Sequence, residues 1–245
     1  MKYADLTQLL DTNADRLTAT VLGEMYQNPF WHERFGERAN IHGKKDGRFH
    51  IDYLIQALAS DDVRILEQYA RWLQQVLTSR GMCSRHLADN FILLGRAIGN
   101  ESWPDREVAV RLLGAAAEAL KYPAGTPRRI QDAAPAIVAH ATESIYARHP
   151  EWLERWGEAG RARCADDLDY HVQYIADALA LADAPGFARY VVWMGDFLGR
   201  RKIPKEHLVE ALETLAASAD AVAADISAEV RRVIELAVAE LTRPR

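Results

Sequence analysis

At 245 residues, nearly half of them apolar and about a quarter charged, the chain has ordinary globular composition and room for one large domain or two modest ones. A net charge of -5 removes the electrostatic case for a nucleic-acid or anionic-membrane partner. The two cysteines, Cys83 and Cys164, lie far apart and outside any CxxC pattern, which argues against a disulfide framework and fits a reducing cytoplasm.

The opening stretch, "MKYADLTQLLDTNADRL", is polar and helix-like, without the long apolar run of a signal peptide. Ile51, Leu54 and Leu58 then mark one face of a helix, and "ILEQYARWLQQVLTSR" continues the helical pattern. Pro123, Gly125 and Pro127 in "KYPAGTPRR" interrupt two such patterns, so a domain boundary is expected there, giving units of residues 1–121 and 122–245. In the second unit Leu168, Val172, Ile175 and Leu179 recur at helical spacing. After the break at "ADAPG", Phe187, Tyr190, Val191, Met194 and Leu198 form the next apolar face. "KEHLVEALETLAAS" and "SAEVRRVIELAVAEL" follow, the latter with Ser227 expected as N-cap and Glu229 nearby. No alternating run suggests a strand, and no run of about eighteen apolar residues would span a bilayer. The expectation is a cytoplasmic, all-α protein.

The two units are written in one pattern. Each of many residues in the first has its like 121 positions further on, His50 with His171 among them. "NPFWHERFGERA" falls on "HPEWLERWGEAG", and "DGRFHIDYLIQALASDD" on "DLDYHVQYIADALALAD". From Pro29 to Leu94 roughly a third of positions are identical, against about one in fifteen by chance. Such a pattern reads as a tandem duplication, with the two units able to pair inside one chain.

Cys164, Asp167, His171, Tyr174 and Ala178 are spaced to share one helix face, about 100° from the Leu168 stripe. The first unit has Gly43, Asp46, His50, Tyr53 and Ala57 in the same places. Two readings stand. In one, this is the boundary of the core: His and Tyr bond backbone or water, and the Asp sits near a helix start where the dipole favours an anion. In the other it is a pocket wall, where Asp46 and Asp167 accept N–H bonds and the His and Tyr rings supply flat faces. Arg161 and Arg163 would then meet carboxylates of the same ligand. Tyr69, Trp72 and their counterparts Tyr190 and Trp193 complete the candidate lining, although the tryptophans read more readily as core than as lid.

"RCADDLDYHVQYIADAL" resembles the bilin-bearing helix of phycobiliproteins, a globin-like, all-α family. The resemblance implies that Cys164 matches the attachment cysteine and Asp167 the acid that binds pyrrole nitrogens, with Arg163 at a basic position for propionates. Tyr170 and His171 fall on a double-tyrosine position. Asp166 stands where the family has an arginine, Gly43 replaces the cysteine in the first unit, and the chain is a fused pair where the family has single units. These departures point to a relative, such as the globins associated with bilin synthesis, more than to a light-harvesting subunit. The implied cofactor is a linear tetrapyrrole, held by a sensor or a carrier.

Heme is the weaker alternative, because the helix after His171, "GFARYVVWMGDFLGRR", holds no axial histidine, and its counterpart in the first unit holds none. His86 and His207 read as flanking a helix start. No HExxH, CxxC, Walker loop, nucleophile elbow or dinucleotide turn is present, so neither a metal site nor enzymatic catalysis is expected. The "WxERxGE" motif of Trp31–Glu37 and Trp152–Glu158 is expected to be structural. A cofactor-free module for signalling or assembly, with a protein partner, is the competing function.

Overall fold

The computed structural model describes residues 2–244, and among them no strand occurs; the fold class is all-α. In chain order the helices are α1 (Ala4–Thr12), α2 (Ala14–Met25), α3 (Phe30–Phe35), α4 (Glu37–Ser60), α5 (Arg64–Thr78) and α6 (Ser84–Gly99). They continue with α7 (Arg106–Glu118), α8 (Thr126–Arg148), α9 (Pro150–Ala180), α10 (Ala184–Gly199), α11 (Lys205–Val222) and α12 (Ser227–Thr242). None of them is long and apolar enough to cross a membrane.

Two compact units result. Met1–Leu77 with Arg85–Lys121 form the first, and Tyr122–Arg245 the second, which also takes in the short segment Thr78–Ser84. In the first unit α4 lies against α1 and α2. Leu6, Leu10, Leu17, Ile51, Leu54, Leu58, Leu66, Phe91, Ile98 and Leu113 fill its interior, all within 1% of complete burial. In the second, α8 runs along α9 and packs on α11, and α10 lies on α12. Ile130, Ile137, Leu168, Val172, Ile175, Val191, Leu212, Leu215, Val233 and Ile234 are buried there. Removing such a side chain from water stabilises the fold by about 1.5–3 kcal/mol, which is why the 3.6-residue apolar spacing decides the architecture.

The repeated glycine of the "WxERxGE" motif has a backbone role in each unit. Gly36 has φ 58 and ψ -145, and separates α3 from α4. Gly157 has φ 62 and ψ -166, and breaks α9 seven residues after its start. Only glycine enters this region freely, so any side chain at either place would strain the bend. Further along, one expected cap does not form. Ser227 is the first residue of α12 and not its N-cap; its hydroxyl turns back to the carbonyl of Ala224 at 3.1 Å.

Candidate functional site

In the second unit α9 and α10 bring three of the candidate residues together. Tyr174 and Tyr190 stack face to face, ring centroids 3.8 Å apart at 19°, and the Tyr190 hydroxyl lies 3.1 Å from His171 Nδ1. His171, Tyr174 and Tyr190 are 5%, 6% and 3% exposed. The first unit repeats the arrangement: Tyr53 and Tyr69 stack at 4.0 Å and 13°, and the Tyr69 hydroxyl is 2.8 Å from His50 Nδ1. Burial drives the imidazole pKa down to about 3 for His50 and about 4 for His171, so both rings are neutral at pH 7. With the phenol as donor, each ring is the Nε2–H tautomer. Each pair bonds the phenol to imidazole Nδ1 inside the core, and the row beside the leucine stripe is itself core: α9 buries His171, Tyr174 and Ala178 together with Leu168, Val172 and Ile175.

The rest of the row diverges toward solvent. Asp167 is more than half exposed and pairs with Arg163 at 3.1 Å, one turn away. It does not sit at a helix start but in the middle of α9, ten residues beyond the Gly157 break, so the dipole argument does not apply to it. Cys164, Arg161, Tyr170 and, in the first unit, Asp46 are half-buried. Trp193 is half-buried against Phe197, centroids 5.1 Å apart. Trp72, by contrast, is 56% exposed, which reverses the expectation of a core tryptophan.

The Cys164 thiol lies between the arginines Arg161 and Arg163 and the acids Asp166 and Asp167. Burial, and then the charge of Asp167, push its pKa up to about 11. Alkylation of Cys164 by iodoacetamide at pH 8, followed by peptide mass spectrometry, should run about 100-fold slower than for an ordinary cysteine. The rate should climb until about pH 11, and Asp167→Asn should move that midpoint down. A Cys164 that alkylates at the ordinary rate at pH 8 would contradict this placement.

The first unit differs at the matching position. Tyr26, the residue capping the end of α2, lays its hydroxyl over Gly43 and donates to the Ala39 carbonyl at 2.6 Å, while Leu22 Cδ2 lies 3.1 Å from where a Gly43 side chain would begin. A cysteine there would collide with Tyr26. The face that carries Cys164 in one unit is thus filled by a neighbouring helix in the other.

Two repeated ring contacts lie apart from this face. His86, 4% exposed, packs on Trp31 at 4.9 Å in the first unit, and His207 on Trp152 at 5.1 Å in the second. Both histidines lie in the first turn of their helices. One buried group went unread in the sequence. Asp177, 3% exposed, accepts the Ser84 amide at 2.7 Å, the Ser84 hydroxyl and the Tyr122 hydroxyl at 2.7 Å, with the Cys83 thiol a further donor. Its signal was a single acid inside the otherwise apolar run from Ile175 to Leu179. Among the described residues no group of three or more His, Cys, Asp or Glu side chains is placed to hold a metal.

Residues 124–241 match the family model described as phycobilisome protein. This stretch of the chain belongs to that phycobiliprotein-like, globin-like family. The match falls within the second unit, the one that carries Cys164 and Asp167. No curated protein and no solved structure matches the chain. In the phycobilisome-protein stretch, the exposed Arg163 and Asp167 flank the half-buried Cys164 on α9, near the buried His171–Tyr190 pair.

Proposed function

We propose that the second unit binds a linear tetrapyrrole along the Cys164–Asp167 edge of α9, and that the first unit is a cofactor-free partner module in the same chain, the two being tandem copies of one domain. The observation that carries the reading is the family match over the unit that carries this edge. The donor set suits the group. Asp167 is an exposed carboxylate able to accept pyrrole N–H bonds, and Arg161 and Arg163 are cations for propionates. Trp156, 46% exposed and just before the Gly157 break, carries the Arg155 guanidinium over its ring at 5.0 Å and adds a flat surface and a third cation nearby. Arg163 is held by Asp167, so a ligand would exchange one charge-assisted contact for others instead of exposing a bare charge. In the first unit Tyr26 and Leu22 take up the corresponding space, which supports a protein-binding or assembly role there.

The neutral thiol supports reversible holding over rapid attachment, which fits a carrier better than a permanently pigmented sensor. Attachment would form a sulfur–carbon bond and place the thiol proton on the neighbouring carbon of an exocyclic double bond, with no change of oxidation state. The test is titration of the full chain with biliverdin and with phycocyanobilin, read by absorbance. A red shift with sharpening is expected, weakened roughly tenfold by Asp167→Asn and unchanged by Asp46→Asn. Zinc-dependent fluorescence on a denaturing gel, if any forms, should vanish in Cys164→Ala while the reversible spectrum remains. No spectral response to either bilin would sink the proposal.

A further inference from the structure

α2 and α4 of the first unit approach so closely that α4 carries glycine at two successive points of contact. Gly43 faces Leu22 and Tyr26, and Gly47 faces Thr18, whose Oγ1 lies 2.9 Å from where a Gly47 side chain would begin. Thr18 is 6% exposed, and its Oγ1 is, among the described residues, the buried side-chain polar atom left without a hydrogen-bond partner. Four other helical threonines behave differently. Thr20, Thr142, Thr214 and Thr242 each donate to the carbonyl four residues back, at 2.7–3.0 Å. The Thr18 hydroxyl forgoes that bond, and Thr18 lines a void of about 10 Å³ together with Val21, Leu22, Gly47, Asn90 and Leu94. Asn90, of α6, directs its amide nitrogen to Met25 Sδ at 3.2 Å, a weak acceptor.

We propose that this void is a binding site for one water molecule, which accepts from the Thr18 hydroxyl and donates to the Asn90 side-chain carbonyl. The room is about that of a single water by this measure, so larger polar ligands are excluded. A buried hydroxyl and a half-buried amide beside an otherwise apolar void form the kind of site that water fills, whereas a purely apolar void stays dry. The bridge would tie α2 to α6 across the glycine contact with α4, and so hold the Leu22–Tyr26 ridge over Gly43.

The experiment is a high-resolution crystal structure of the full chain and of Thr18→Val, which keeps the side-chain shape and removes the hydroxyl. The expected result is a density peak within hydrogen-bond distance of Thr18 Oγ1 and Asn90 Oδ1 in the wild type, lost in the variant. A dry void in the wild type overturns the proposal, and so does a peak that persists unmoved in Thr18→Val. Should Thr18→Val fail to crystallise, the wild-type density alone decides between a filled and a dry void.

Discussion

Lowering the pH from 7 to 5 should unfold the first unit before the second. His50 and His86 of the first unit have imidazole pKa values pushed down to about 3, by burial in both and for His86 by Arg85 and Arg34 as well. His171 of the second unit is lowered to about 4 by burial. The folded pKa lies below the unfolded one, so between those values the unfolded chain binds more protons and stability falls as the pH falls. Each such histidine costs about 2 kcal/mol of stability by pH 5, so the first unit loses about 4 kcal/mol and the second about 2. Against a total of roughly 5–15 kcal/mol for a domain, the larger loss is enough to separate two transitions. Asp177 acts in the opposite direction to these histidines. Burial raises its carboxyl pKa despite the bonds it accepts, so it favours the folded second unit increasingly as the pH drops through the folded value. Carboxylates held low by arginine, such as Asp225 and Asp62, act only nearer their ordinary range, below this window. Urea unfolding at pH 7, 6 and 5, with hydrogen exchange to assign each transition, would show this. His86→Leu should remove about half of the first unit's acid sensitivity, since the ring sits between Phe30 and Trp31 at 5.0 and 4.9 Å. A second unit that opens first on acidification would refute the assignment.

Asp177→Ala should cost the second unit about 3 kcal/mol, because truncation leaves the Ser84 amide, the Ser84 hydroxyl and the Tyr122 hydroxyl without their acceptor in a buried place. Asp177→Asn keeps one acceptor oxygen and should cost about 1 kcal/mol. The Ser84 amide should then exchange with solvent at least about tenfold faster in the alanine variant, since its 2.7 Å bond is what protects it. Equal losses in the two variants would mean that the acid fills space and is not needed as an acceptor. Local loosening of Thr78–Ser84 should accompany the loss, as Tyr174 donates to the Gly81 carbonyl at 3.3 Å in the same segment.

Much of the fold is readable in the linear chain. The 3.6-residue apolar spacing specifies helices because burying one stripe is the largest favourable contribution a helix can make, and that spacing is local. The repeated Gly36 and Gly157 mark bends because a positive φ is a property of a single residue. The recurrence of His50 with His171, and of Tyr69 with Tyr190, marks positions with equivalent surroundings.

What those surroundings are belongs to the tertiary structure. A row of Asp, His and Tyr beside a core stripe looks the same whether it faces a ligand or another helix, and only the approach of α10 turns His171, Tyr174 and Tyr190 into a sealed, self-bonded cluster. In sequence the Cys164 thiol has arginines and acids on both sides and no evident bias; burial, with Asp167, raises its pKa, because desolvation depends on neighbours distant in the chain. Gly43 shows only that the thiol is missing from the first unit; that Tyr26 closes the same place depends on how α2 packs on α4. Asp177 is a lone acid in an apolar run until residues 83, 84 and 122 arrive to bond it. Local spacing determines which residues share a face, and the long-range packing of helices determines whether that face meets water, a ligand or protein.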